Sequence, residues 1–306
     1  MGFHVLKSEK NKNRFVVGGA ILCCLIMVVF PEITAQASRE AVNIWLNSVV
    51  PTLFPFFIAA NFLKKTGMVS RISPKIYPFV MALLSGYPMG ARITGDYYRA
   101  GLIDRDQMNW ILSYSMVTGP AFLVGAVGVG FLGSHRLGLV LCISHYGGAL
   151  INSAFYGAKK AGAKPVKSSA SGRGDSYYNL LTDSILDSFR SIAIILAYIV
   201  IFMIATDLLQ FSGALSMLPG GEGAALAKGI LEMTVGCSSL SVCSCSEASK
   251  AALASFIVSF GGLSVMGQSM SMLYGCGVSL WQLFKMKLSQ GVISGILAFS
   301  LSCFVI

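Results

Sequence analysis

Ile76 to Gly101 reads IYPFVMALLSGYPMGARITGDYYRAG, and the interpretation of this stretch decides the fold. An apolar run from Ile76 to Ser85 breaks at Gly86-Tyr87-Pro88, then restarts as a helical pattern carrying Arg92, Asp96 and Arg99. About ten helical residues span roughly 15 Å, half of a hydrocarbon core. At membrane depth such a break survives only where its freed backbone groups face protein or a wet cavity. Pro88 suits a helix start, because its missing N–H has no intrahelical partner there. The helix that follows aims the positive end of its dipole at the break, with Arg92 one turn inside. The pattern predicts a re-entrant hairpin whose tip favours an anion. A kinked crossing helix, or a short surface helix with a solvated charged face, fits this stretch equally well. Arg92–Asp96 at i,i+4 and Asp96–Arg99 at i,i+3 have the spacing of ordinary surface pairs.

The surrounding composition narrows the choice. Hydrophobic residues make up 55% of the 306, charged residues 12%, and mean hydropathy is +0.70. A soluble domain carries about a quarter charged residues. The chain is therefore expected to be an all-α polytopic membrane protein. Its net charge of +10 is read as orientation and contact with anionic lipid, not as a nucleic-acid footprint. The eight cysteines lie mostly in apolar or small-residue runs, where a thiol behaves as a small hydrophobe. Cys237, Cys243 and Cys245 cluster with no histidine near them in sequence, so packing is the favoured reading. No cofactor and no metal site are implied.

In chain order, residues 1–40 hold a basic N-terminal segment and an apolar run, Phe15 to Phe30, that reads as a first membrane helix or a signal-like segment; the retained helix is preferred. Residues 41–157 form a first repeat, 158–179 a cytoplasmic basic linker, and 180–306 a second, inverted repeat. Within the first repeat, Asn43 to Leu63 spans, the hairpin follows, and Gln107 to Leu132 spans with an interruption at Thr118-Gly119-Pro120. Leu137 to Gly157 closes it. In the second, Ser188 to Thr206 spans. Ala224 to Val235 is a short half-helix containing Glu232 that ends at a tip, Gly236-Cys237-Ser238-Ser239. Ala251 to Phe284 is interrupted at Gly261-Gly262-Leu263-Ser264, and a last span follows Lys287.

Setting Ser115 over Ser259, an offset of 144 residues, brings the interruptions together and places Gly147 over Gly291. With a small gap, the Gly86 break falls over Gly236. Placing the N-terminus inside puts seventeen of the 23 basic residues on the inner side, Lys285 and Lys287 among them, and four on the outer side. The first hairpin then enters from inside and the second from outside. Inverted repeats whose broken helices meet near the midplane are a common secondary-transporter design. A duplicated scaffold that moves nothing is the alternative.

Three motifs carry a resemblance: Pro51-Thr52-Leu53-Phe54-Pro55-Phe56-Phe57, Ser85-Gly86-Tyr87-Pro88-Met89-Gly90-Ala91-Arg92, and Ser259-Phe260-Gly261-Gly262-Leu263-Ser264-Val265-Met266-Gly267-Gln268. Together they resemble the YlbJ-type sporulation integral membrane proteins, within the wider nucleoside-recognition (gate) membrane family, over most of Ala41 to Ile306. The resemblance implies an envelope protein of spore-forming bacteria in the mother-cell or outer forespore membrane, related to concentrative nucleoside transporters. It also implies passage of dipicolinic acid, a small aromatic dicarboxylate, toward the forespore. The compact length and the Cys/Ser-rich second tip depart from that pattern.

On the residues themselves, a half-helix N-terminus plus Arg92 suits a carboxylate, because fixed N–H donors and a bidentate guanidinium both match its oxygens. Ser238 and Ser239 are expected to donate neutral hydrogen bonds from the second tip, and Tyr87 to stack on an aromatic ring. Thr118, Ser264 and Gln268 are expected to line the site. Each has a plain alternative as interhelical hydrogen bonding or, for Tyr87, interfacial anchoring. Asp96 and Glu232 are the candidates for proton or sodium coupling. Asp187 and Arg190 read as a structural pair, and His145 as a packed histidine. The sequence holds no P-loop, no H-E-x-x-H and no recognisable serine–histidine constellation, so no enzyme is expected. The expected partners are a small anionic substrate and the lipid bilayer. A nucleoside-type carrier, a sporulation membrane scaffold and a homo-oligomer remain open.

Overall fold

The computed structural model describes residues 17–66, 73, 75–157, 177–218 and 220–305, apart from positions 20 and 22. The basic N-terminal segment and residues 158–176 of the expected linker lie outside the described residues, as does most of the Lys64–Lys75 loop. Among the described residues every regular element is helical. An apolar helical stretch, Val17–Val29, turns by 100° into a long helix. That helix runs through α1 (Pro31–Ile44), a π-helical turn at Trp45–Val49 and α2 (Val50–Lys65). The hairpin of α3 (Tyr77–Ser85) and α4 (Tyr87–Arg99) comes next, followed by α5 (Arg105–Ser115), a π-helical segment at Ala121–Phe131 and α6 (His135–Phe155). The second half holds α7 (Tyr177–Phe211), α8 (Gly220–Leu231), α9 (Met233–Leu240), α10 (Glu247–Phe260), α11 (Gly262–Met272) and α12 (Leu280–Val305).

Four helical stretches are long and apolar enough to cross a membrane: His135–Phe155, Tyr177–Phe211, Glu247–Met272 and Leu280–Phe304. The bent pair at the N-terminal end makes a fifth if it is taken as one span. Large apolar side chains such as Leu186, Phe189 and Ile201 on α7 stay exposed, as a lipid-facing surface requires. This is an all-α, multi-pass membrane protein.

Both expected hairpins fold back on themselves. At the first, Gly86 adopts φ 81° and ψ −175°, a backbone region that only glycine enters readily, and α4 starts with proline in its first turn. A Cβ on Gly90 in the returning arm would lie 3.3 Å from the Ala82 Cβ in the outgoing one. At the second, the tip is not Gly236 but Glu232. Glu232 takes an extended conformation between α8 and α9, and its carboxylate accepts from the Val235 N–H. A carboxylate N-cap ends one helix and starts the next as effectively as a glycine turn. Gly236 instead sits one turn inside the returning arm, where a Cβ would come within 2.2 Å of the Gly229 Cα. Its glycine allows close approach, not a turn.

The two interruptions also form. The chain unwinds at Met116–Gly119 after α5, and turns through Gly261 and Gly262, both at positive φ, between α10 and α11. Element positions recur along the chain. Lys65 and Phe211, where the long helices end, are 146 residues apart. Gly86 and Glu232, the hairpin tips, are also 146 apart. The starts of α6 and α12, His135 and Leu280, are 145 apart. Packing repeats with them, since α4 rests on α11 and α9 on the π-helical segment Ala121–Phe131.

Two sequence expectations are corrected at the helix ends. Residues 177–179, expected as linker, are already helical in α7, and Lys287 lies within α12, not in an inner loop. Residues 285 and 287 on one helix point about 200° apart, so they cannot share an environment. Lys285 is exposed over the Trp281 ring, whereas Lys287 is 1% exposed. Lys287 therefore drops out of the inner-side basic count, which still far exceeds the outer.

Candidate functional site

The first hairpin tip, the unwound Met116–Gly119 segment and the Glu232 tip enclose a cavity of about 310 Å³. That volume lies at the lower end of the range for small-molecule sites, about 300–1,000 Å³. Five of the residues singled out in the sequence line it: Tyr87, Arg92, Thr118, Gln268 and Glu232. Elements more than a hundred residues apart in sequence bring them there. α4 supplies Tyr87 and Arg92, the first interruption Thr118, the second hairpin Glu232, and α11 Gln268. The long helices close the outer wall with Asn61 from α2 and Ser191 and Tyr198 from α7.

The polar groups of this wall differ in how they are satisfied. Arg92 is exposed and makes no ion pair among the described residues. Glu232 is 3% exposed, and its two oxygens accept from the Val235 N–H (2.8 Å) and the Thr234 hydroxyl (3.2 Å). The N-terminus of α9 thus already has its acceptor, its own cap. The N-terminus of α4 has Gly86 as its cap and no side chain bound to it. The positive end of α4 and the Arg92 guanidinium are the unneutralised charge in the cavity.

Tyr87 is 2% exposed, and its hydroxyl donates to the Val258 carbonyl near the end of α10. One face of its ring carries the Lys287 Nζ, 4.9 Å from the ring centre. The expected stacking platform is thus a wall residue held on three sides, since the His145 ring meets it edge-on at 6.0 Å. Thr118 is fixed through its backbone. Its N–H donates to His145 Nε2 (3.2 Å), and its carbonyl accepts from the Tyr146 hydroxyl (3.0 Å). Because Nε2 accepts, the ring proton sits on Nδ1 and faces Ser259 Oγ at 2.7 Å. His145 is a neutral clamp joining the first interruption to the residue two positions before the second. This agrees with its reading as a packed histidine.

The remaining predicted site residues lie elsewhere. Ser264 is buried behind the lining, near the Glu232 carboxyl but without a hydrogen bond of good geometry. Ser238 and Ser239 are on the far turn of α9, since moving the tip to Glu232 carries them away from the cavity. Ser239 donates to the Val235 carbonyl and borders a separate cleft beside Gly221 and Lys228. Thr234 takes the place in the cavity expected for them. Asp96 faces outward and pairs with Arg99 at 2.7 Å, not with Arg92. Arg99 also donates to the Met272 and Tyr274 carbonyls, so this pair ties α4 to the end of α11. Asp187 pairs with Lys65 of α2 at 2.9 Å in place of Arg190, joining the two long helices.

Lys287 is the residue that sequence reasoning missed. Its Nζ lies 2.7 Å from the Met116 carbonyl and 2.5 Å from Gln290 Oε1. The signal was present in the sequence, for Lys287 and Gln290 stand at i,i+3 at the start of a long apolar stretch with helical character. Asn61 was missed as well. It lies in an uncharged span, and only the packing of α2 on α7 turns it inward, where its amide donates to Ser188 Oγ at 2.9 Å.

Among curated proteins, the chain is 26% identical over 332 residues to the sporulation integral membrane protein YlbJ of Bacillus subtilis (strain 168), covering 93% of this chain and 81% of that one. The similarity to the YlbJ type drawn from three short motifs is thereby borne out over nearly the whole sequence. No family model matches, and the nucleoside-recognition grouping stays an expectation. No solved structure matches either.

Proposed function

We propose that this protein is a sporulation membrane carrier that passes a small organic anion through the cavity between its two hairpin tips. By resemblance that anion is dipicolinate. The observation that carries the reading is the asymmetry of the two tips. One helix N-terminus is occupied by Glu232, while the other opens onto the cavity beside an unpaired Arg92. A carboxylate placed there meets oriented N–H groups and a guanidinium fork, the two donors best matched to its oxygens. Gln268, Thr118 and Asn61 add further polar groups to a wall that is mostly apolar. The ligand is bound and released without a covalent step.

Recurrence of long-helix ends, hairpin tips and closing helices at 145–146 residues supports reading the halves as repeats, and the excess of basic residues on one side supports reading them as inverted. Movement of one half's hairpin region against the other would then open the cavity to alternate faces. One observation favours a second ligand class. Asn61, Gln268 and Glu232 together would hydrogen-bond a neutral polar molecule such as a nucleoside.

The test is uptake into proteoliposomes, with dipicolinate, nucleosides and simple dicarboxylates compared under imposed proton or sodium gradients. Dipicolinate or another dicarboxylate is expected to accumulate, and Arg92→Ala to abolish that while the protein stays folded and inserted. Nucleoside uptake that ignores Arg92→Ala selects the second ligand class. Uptake of nothing in the panel leaves a membrane scaffold.

A further inference from the structure

The cavity has two unlike ends. At its open end Arg92, Ser271 and Met272 are exposed, and Arg92 lies one turn into α4 from that helix's uncapped N-terminus. At its buried end stand Glu232, Thr118 and Thr234, which are 3%, 4% and 1% exposed. Among the described residues, Arg92 is the only basic side chain in the lining and Glu232 the only acidic one. The open end therefore offers donors and the buried end acceptors. Glu232 takes one bond from the Val235 N–H and one from the Thr234 hydroxyl, whereas a carboxylate has room for about four. Thr234 spends its one proton on Glu232, which leaves only its lone pairs for a ligand. Gln268 adds neutral hydrogen bonds but no charge.

A ligand whose carboxylate sits at Arg92 and the α4 N-terminus has its other end toward Glu232. A hydrogen-bond donor at that end, such as an amide N–H, fills the free acceptor sites of the Glu232 carboxyl group. A second carboxylate cannot do so while both groups are ionised, because like charges in contact force one of them to take a proton. No second cation in the lining offsets it, since Arg92 already faces the first carboxylate.

We propose that the site reads a carboxylate at one end and a hydrogen-bond donor at the other, so that a dicarboxylate is held there only with one proton shared between its second carboxyl group and Glu232. The proton comes from water as the ligand binds and returns to water as it leaves, so each dicarboxylate that crosses takes one proton with it. This inference rests on the anion-site reading above. The other titratable groups nearby are few. Cys237 lies on the Glu232 hairpin, Tyr87 lines the cavity from α4 and Tyr198 from α7, and α11 supplies only Ser264 and Gln268, which do not ionise. His145 and Lys287 lie behind the Tyr87 ring and form no part of the lining.

The experiment measures equilibrium binding of dipicolinate and of its monoamide to the purified full chain in detergent micelles between about pH 6.5 and 8.5, where the free dicarboxylate is fully ionised. Dipicolinate affinity is expected to fall at least about tenfold across this range, the sign required when the complex holds one more proton than its separated parts. The monoamide presents an N–H to Glu232 and is expected not to weaken. At the alkaline end, dipicolinate binding in weakly buffered solution is expected to take up about one proton per ligand. Glu232→Gln turns an amide donor toward the second carboxylate, so its dipicolinate affinity is expected to vary less than about threefold over the same range. Dipicolinate binding without proton uptake overturns this inference alone, as does an equal weakening of both ligands with rising pH or a Glu232→Gln protein that keeps the full pH dependence. Should Glu232→Gln fail to fold, the two ligands and the proton count on the wild type still decide. Binding of neither ligand at any pH removes the anion site itself, and this inference with it.

Discussion

Replacing Gly86 by alanine isolates what holds the first hairpin tip in shape. The residue sits at φ 81° and ψ −175°, and a Cβ built on it meets nothing within 4 Å. No steric clash contributes, so the whole cost is backbone strain, about 1–3 kcal/mol for a non-glycine residue in that region. Gly267 supplies the control. It is helical, lies on an exposed face of α11, and its added Cβ also meets open space. There the same substitution is expected to stabilise by about 0.5–1 kcal/mol, the usual gain from alanine inside a helix. Identical chemistry thus has opposite signs at the two positions, separated by about 1.5–4 kcal/mol. Denaturant unfolding in micelles, followed by helical circular dichroism, reads both variants against the wild type. Gly86→Ala should unfold at lower denaturant and Gly267→Ala at equal or higher. Relief of the strain also re-aims α4 and swings Arg92 away from the cavity, so Gly86→Ala should lose uptake even where it folds. A Gly86→Ala protein as stable as the wild type, or both variants shifting in one direction, would refute the argument.

Three further outcomes are expected. Gly236→Ala places a Cβ 2.2 Å from the Gly229 Cα, a backbone atom that cannot rotate aside, and should cost about 1–3 kcal/mol in the same unfolding assay. Gly229→Ala meets both branches of the buried, helical Ile257 at 2.6–2.8 Å, and a β-branched side chain has little freedom to rotate there, so it should cost a similar amount. Glu232→Ala removes the N-cap of α9 and should destabilise by about 1–2 kcal/mol, whereas Glu232→Gln keeps an acceptor for the Val235 N–H and should cost clearly less. Equal losses would mean that the cap contributes nothing of its own. A double-mutant cycle on Lys65 and Asp187, whose side chains are 24% and 46% exposed, should give a coupling of only about 0.2–1 kcal/mol that falls as salt is added.

Much of the cavity was legible from local chemistry. A glycine–proline break ten residues into an apolar run has few outcomes in a membrane, and Gly86, Tyr87 and Arg92 follow from it. Interruptions at Thr118-Gly119-Pro120 and Gly261-Gly262 are likewise written in residues that leave the helix readily or enter positive φ. The second tip was misplaced by four residues because glycine has two uses. At Gly86 it bends the chain, whereas at Gly236 it lets two helices touch. A carboxylate can end a helix in its place, and no local pattern distinguishes these.

What the sequence determined by itself is the class and the punctuation: an all-helical, multi-pass membrane protein with two short broken hairpins and two interrupted spans. These depend on hydropathy and on backbone preferences, which act within a few residues. What only the tertiary structure decided is which polar groups meet. Whether Lys287 lies in a loop or under Tyr87, whether Asp96 faces the cavity or Arg99, and whether Asn61 turns toward α7 all depend on helix rotation. That rotation is set by packing between segments a hundred or more residues apart, where a shift of one residue turns a side chain by about 100°.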